Sequence, residues 1–290
     1  MSLLTLLTGF HSFLKLCFVS SCWKKVKDNT VKIALVSSGL GNVWRGYERF
    51  TYDLFHLLKD EIDITLFKGG GEKDLHQVVV PHLSRDGFLA SIPFLSSRSS
   101  RSPYYFEVLS FLLLLMPRLL EGGFDILHFT DCSIANFLYH FRTKFKRKFS
   151  FQTLFTNGNP VVDKSTSRVD FLHQLTPLQV EQMLDLGIAS EKIIQIPFGV
   201  HCKRLSERKD KTDLRVEYGI PQDKIVVLAV SAINRSHKRI DYLVNEVSRL
   251  GPDYFLLVAG HMEDPSIEEM AAGKLKSNFK FMHVPFEKER

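Results

Sequence analysis

The sequence predicts an α/β protein built from a pair of doubly wound domains, the second incomplete. Three observations carry this. Short, nearly continuous apolar runs alternate with amphipathic stretches, as parallel strands alternate with the crossover helices that bury them. Several of these runs end in glycine, asparagine or charged residues just before the next helical stretch, where open α/β sheets place their ligand loops. The same grammar restarts after a polar, charge-rich bridge at residues 202–212. The expected organisation is an N-terminal segment at 1–28, a first doubly wound domain at 29–201, the linker at 202–212 and a partial second domain at 213–290.

Residues 1–23 are largely apolar but interrupted by Lys15, and Lys24, Lys25 and Lys27 follow. This segment reads as an amphipathic surface helix, a disordered start, or a span or signal. Residues 31–37 (VKIALVS) form the first expected strand, residues 47–59 a helix and residues 62–67 a strand. Residues 104–120 are strongly apolar and read as a buried helix kinked or shortened by Pro117. Strands are then expected at 125–129, 149–156, 168–172 and 193–196, with helices at 132–141 and 177–186. The second domain repeats the pattern, with strands at 226–231, 254–259 and 279–284 and helices at 239–250 and 266–275.

The chain has 290 residues, 44% hydrophobic and 24% charged, which suits two soluble domains and excludes wholesale disorder. Its net charge of +6 is compatible with phosphate-bearing or anionic-lipid partners and selects neither. Cys17, Cys22, Cys132 and Cys202 form no CxxC pair and no cluster with histidine, so no metal site is expected. They read as buried free thiols of a reducing compartment. The expected location is therefore cytoplasmic, with peripheral membrane contact through the N-terminal segment or the basic run Arg142, Lys144, Lys146, Arg147 and Lys148 with its interleaved phenylalanines. Nucleic acid is the less favoured partner of that run, because no nucleic-acid-binding signature accompanies it.

The candidate site residues sit at strand ends. Gly39, Gly41, Arg45 and Gly46 lie between the first strand and first helix, either as a plain turn or as a ligand loop. His128 and Asp131 flank the end of another strand, and Thr156 and Asn157 end a third. In the second domain Arg235 and Lys238 lie in the cationic loop NRSHKR, where they grip a diphosphate or form a solvated helix start. Basic charge at a helix N-terminus is unfavourable without an anion, which favours the first alternative.

Taken in order, VKIALVSSGLGNVWRGYERF, FDILHFTD, IIQIPFGV, VVLAVSAINRSHKRIDYLV and YFLLVAG resemble the retaining glycosyltransferases of family 4, which have GT-B architecture. The resemblance implies sugar transfer from a nucleotide-diphosphate sugar, used as donor substrate with no further cofactor, to a carbohydrate or lipid-linked acceptor. It implies that Gly39–Gly46, His128–Asp131 and residues 156–159 face the acceptor, that Lys238 contacts the donor phosphate, and that transfer occurs at the interdomain cleft. The family's arginine shortly before that lysine has Ala232 or Ile233 in its place, with Arg235 as a substitute. Its histidine has Thr156-Asn157 in its place. Its two glutamates eight positions apart are not matched by Glu287 and Glu289, so the distal half of the donor domain reads as missing. No catalytic base is assigned. A non-catalytic sugar- or nucleotide-binding protein and a membrane-surface scaffold are the alternatives.

Overall fold

The computed structural model describes residues 31–43, 45–84, 103–145, 149–158, 164–199 and 210–283. The expectations for residues 1–23, for Lys146, Arg147 and Lys148, and for Cys17, Cys22 and Cys202 lie outside them. The chain divides into two compact units, Met1–Val200 and His201–Arg290.

Unit 1 is a seven-stranded sheet in the order β3-β2-β1-β4-β5-β6-β7, with every pairing parallel. Its elements are β1 (Lys32–Ser37), α1 (Gly46–Leu58), β2 (Asp63–Lys68), β3 (Gln77–Val79), α2 (Pro103–Glu121), β4 (Ile126–Phe129), α3 (Cys132–Phe145), β5 (Gln152–Asn157), β6 (Phe171–Gln174), α4 (Pro177–Asp185) and β7 (Ile193–Gln195). The strand order reverses between β1 and β4, which opens a crevice at their C-terminal ends.

Continuous burial explains the apolar runs: Ile33, Ala34, Leu35 and Val36 of β1 are all at most 3% exposed. One face packs against α2 and α3 through Phe111, Leu115, Leu119, Ile134 and Leu138, and the other against Phe55 and Leu58 of α1. Asp125 joins the two central strands. Its carboxylate accepts the Lys32 N–H at 3.0 Å, and its own N–H donates to the Lys32 carbonyl at 2.8 Å.

The helix expected at 104–120 is present as α2, and Pro117 does not shorten it: the helix continues to Glu121, with Pro117 on its exposed side, four residues after the exposed Leu113. A carbonyl left without its helical donor there faces water. Arg142, expected in a free basic patch, instead pairs with Asp170 at 3.2 Å and lies 4.9 Å from the Phe149 ring centre. The Asp170 carboxylate also accepts from the Thr153 N–H and hydroxyl, each at 2.8 Å. Burial would raise its pKa, but the bonds from Arg142 and Thr153 outweigh it and hold the carboxyl below its ordinary range.

Unit 2 comprises α5 (Lys211–Tyr218), β8 (Ile225–Val230), α6 (Ile240–Leu250), β9 (Tyr254–Gly260), α7 (Ser266–Leu275) and β10 (Phe279–His283). Its described strands form a parallel three-stranded sheet, β10-β9-β8. Val244, Val247, Leu256, Val258, Ile267 and Ala271 make its core. α5 starts inside the stretch read as linker; Asp210 caps it by accepting the Thr212 N–H at 2.7 Å, and Gly219 ends it in the left-handed conformation. Among the described residues no helix is long and apolar enough to cross a membrane.

Candidate functional site

A pocket of about 380 Å³ opens at the reversal of strand order in unit 1. Ser37 and Gly39 enter it from the end of β1, Thr130 and Asp131 from the end of β4, and Asn157 from the end of β5. Tyr47 and Glu48 of α1 and Tyr104 of α2 complete its walls. Among the described residues it combines aromatic faces, carboxylates, hydroxyls and an amide, with no lysine or arginine in its lining. That chemistry suits a neutral, hydroxyl-rich ligand better than a phosphate.

The carboxylates are positioned by local structure. Asp131 caps α3, accepting the Ser133 N–H at 2.7 Å, and it also accepts from the Tyr104 hydroxyl. Glu48 reaches back to accept the Arg45 N–H at 3.2 Å at the start of α1. A Cβ on Gly39 would meet the Glu48 carboxylate and displace it, so glycine there lets Glu48 lie against the end of β1. Burial, and then the nearby Cys132 and Asp131, raise the pKa of Tyr47 and keep its hydroxyl protonated. Cys132, expected to be buried, is exposed and lines the pocket as the first residue of α3.

Of the other residues singled out in the sequence, His128 and Thr156 lie beneath the pocket, 5% and 0% exposed, rather than on its wall. They belong to a hydrogen-bonded chain that crosses three adjacent strands. His128 Nε2 lies 2.7 Å from Thr156 Oγ1, which lies 2.9 Å from His173 Nδ1, and His173 Nε2 lies 2.7 Å from the Ile196 carbonyl. The carbonyl only accepts, so His173 donates from Nε2, Thr156 donates to His173 Nδ1, and His128 donates to Thr156. Phe50 seals the chain, its ring centre 6.2 Å from each imidazole and 4.4 Å from Phe198. Burial, helped by neighbouring His173, lowers the His128 pKa to about 3, and burial also lowers that of His173. Both rings are neutral at pH 7 and serve as structure under the pocket.

Gly41, Arg45 and Gly46 stand outside the lining. Gly41 has φ +92° and packs directly on the backbone of Gly70, so it is a close-packed turn. Arg45 is the N-cap residue of α1, and Gly46 opens that helix with no neighbour where a Cβ would stand. Asn157 lines the pocket; its side chain donates to Gln174 Oε1 at 3.4 Å, and its carbonyl accepts from Gln179 Nε2 at 3.2 Å. Tyr47 and Tyr104 were not legible as site residues. They lie on helices far in sequence from Asp131, and no motif marks them.

The loop after β8 is built differently. Asn234, 5% exposed, accepts the His237 and Lys238 N–H groups at 3.3 and 3.0 Å and donates to Glu263 at 2.8 Å. Arg235 pairs with Asp264 at 2.9 Å and donates to Ser266 at 3.0 Å. Arg239 takes the left-handed conformation, φ 49°, and pairs with Asp241. Lys238 is exposed and pairs with no carboxylate among the described residues. The structure therefore commits Arg235 to its own unit and leaves Lys238 as the available cation of the loop.

No protein-family profile matches the sequence, and no curated protein matches it. Solved structures do. HepE from Anabaena, in complex with UDP and glucose, is 11% identical with a TM-score of 0.59, over 88% of this chain and 70% of that one. The catalytic domain of starch synthase IV from Arabidopsis thaliana, bound to ADP and acarbose, is 12% identical with a TM-score of 0.57, over 88% and 74%. UDP-GlcNAc 2-epimerase from Neisseria meningitidis, bound to UDP-GlcNAc, is 12% identical with a TM-score of 0.52, over 88% and 73%. Likeness to both transferases and an epimerase does not choose a reaction. It does establish the architecture: the chain has the α/β fold of GT-B glycosyltransferases.

Proposed function

We propose that the protein is a glycosyltransferase that moves a sugar from a nucleotide-diphosphate sugar to a hydroxyl-bearing acceptor, with retention of configuration. The observation that supports this reading is the pocket at the strand-order reversal, whose described lining, with Tyr47, Glu48, Tyr104, Asp131 and Asn157, holds no lysine or arginine. It takes the acceptor, whose hydroxyls bond the carboxylates and the amide while the aromatic faces cover its apolar surface. The donor diphosphate goes to the loop after β8, where the Lys238 ammonium offsets the charge that builds as the sugar–diphosphate bond breaks. Titration of UDP against wild type and Lys238→Ala tests the donor site, and equal affinities would remove it. Turnover of a panel of nucleotide sugars, with the product anomer read by NMR, tests transfer and retention.

A second reading, a non-catalytic sugar- or nucleotide-binding protein, is favoured by one observation. Both pocket carboxylates already accept hydrogen bonds from protein donors, Asp131 from Tyr104 and Ser133, and Glu48 from Arg45. Binding without turnover selects this reading. Contact with an anionic membrane surface rests on the end of α3, where Phe145 is 56% exposed beside Lys144. Co-sedimentation with anionic but not neutral vesicles is the expected result.

A further inference from the structure

Among the described residues seven serines and threonines are buried. Four of them bond within the protein. Thr51 donates to the Tyr47 carbonyl at 2.9 Å, and Thr153 donates to the Asp170 carboxylate at 2.8 Å. Thr156 sits between His128 and His173, and Thr166 donates to Met183 Sδ at 3.6 Å. The hydroxyls of the other three, Ser37, Ser38 and Thr130, bond to no described residue. These three are 6%, 5% and 7% exposed, and all of them line the pocket at the strand-order reversal. Their oxygens are not sealed off from it: the wholly enclosed side-chain atoms without a partner belong to Gln152, Gln174 and Gln182.

Their places follow from the sheet. Val36 of β1 pairs with Phe129 of β4, so Ser37 and Thr130 come next on adjacent strands, and Ser38 follows Ser37. A buried hydroxyl without a partner costs stability, and an apolar residue of similar shape would avoid that cost. Three such groups gathered at one cavity are explained by a ligand that completes their bonds. A hydroxyl both donates and accepts, which matches a sugar hydroxyl, whereas the neighbouring Glu48 and Asp131 carboxylates only accept. We propose that Ser37, Ser38 and Thr130 select the ligand of this pocket by reading the hydroxyls of an uncharged sugar, while Glu48 and Asp131 reject its phosphorylated and carboxylated counterparts. An anionic group entering here meets two carboxylates and no lysine or arginine of the described lining. A deoxy sugar leaves one of the three hydroxyls unpaired under the ligand, which is how a polar site discriminates strongly. This selection deepens the function proposed above and rests on the pocket being a sugar site.

The test measures sugar binding to the full chain without any nucleotide sugar, by saturation-transfer NMR. The probes are glucose, galactose and mannose, each beside its uronic acid and its 6-phosphate. At least one neutral hexose should bind at about 10 mM or below, and its two anionic counterparts should bind about tenfold more weakly or not at all. Among the single-deoxy forms of that hexose, at least one should lose about tenfold or more. Ser37→Ala, Ser38→Ala and Thr130→Val should each weaken the hexose by about tenfold. The urea midpoint should stay level or rise, because each change removes a hydroxyl that leaves no protein group stranded. Hydroxyls that only shape the strand ends would give the reverse, a lowered midpoint with unchanged affinity. That result, equal binding of the anionic sugars, or no hexose binding at this concentration overturns the proposal. Transfer is read separately: a hexose that binds by this pattern but is not glycosylated from any nucleotide sugar removes the acceptor role and leaves the selection standing.

Discussion

The loops that follow β1 and β8 leave the first strand of their respective sheets and lead to the first helix after it, yet they are stabilised by different physics. The β1 loop turns on Gly41, which is pressed against the backbone of Gly70, and the loops beside it rest on a buried chain of neutral polar groups. The β8 loop is tied by side chains, Asn234 from within and the Arg235–Asp264 pair outside. One arrangement packs neutral groups close to a pocket walled by carboxylates and aromatic side chains, and the other leaves a cation facing water. Disturbing the first should therefore cost folding, whereas under the proposed donor role of Lys238 disturbing the second should mainly cost binding.

Acid breaks this comparison most strongly. A histidine whose folded pKa is depressed favours folding fully above its unfolded value of about 6.5, and that stability is lost as pH falls toward the folded value. For His128 the window runs from about 6.5 down to about 3. Its share between pH 7 and pH 4 is about 3 kcal/mol, and His173 adds in the same direction. The described histidines of unit 2, His237, His261 and His283, are exposed. Urea unfolding monitored by hydrogen exchange should show unit 1 opening first as pH drops. Next in size, Gly41→Ala places a side chain at φ +92° against the Gly70 backbone. It should cost unit 1 about 3 kcal/mol by denaturant unfolding.

Thr156→Val keeps the shape of its site but strands the His128 donor and the His173 acceptor, for a loss of about 2 kcal/mol. A calorimetric transition unchanged in unit 1 would contradict the buried chain. Asn234→Ala should cost unit 2 about 1 to 2 kcal/mol, because two loop N–H groups lose their acceptor. It should also weaken UDP. The smallest expected effect is that of Lys238→Ala, with UDP binding weakened about tenfold by calorimetry and an unchanged unfolding midpoint.

The alternation of strands and helices was legible because burial on both faces leaves uninterrupted apolar runs such as IALV and ILHF. β3 was not, since three residues carry no periodicity. α5 was hidden within charge: KTDLRVEY has no buried residue, and its cap and its closing glycine are what reveal it. Gly39, Asp131 and Asn157 were identified as site candidates and line the pocket. His128 and Thr156 were identified from their strand-end positions, but both are buried and neither lines the pocket. Tyr47 and Tyr104 reach the pocket only through the packing of α1 and α2 on the sheet, which local patterns do not encode.

A single backbone oxygen sets the polarity of three successive bonds. The Ile196 carbonyl has no proton to give, so both imidazoles and the hydroxyl between them are held in one tautomeric order. Withdrawing that oxygen would free the whole row to reverse. The end of β7 thus governs which ring nitrogen of His128 bears hydrogen three strands away, and the short stretch around Ile196 is the anchor of proton order in this buried row.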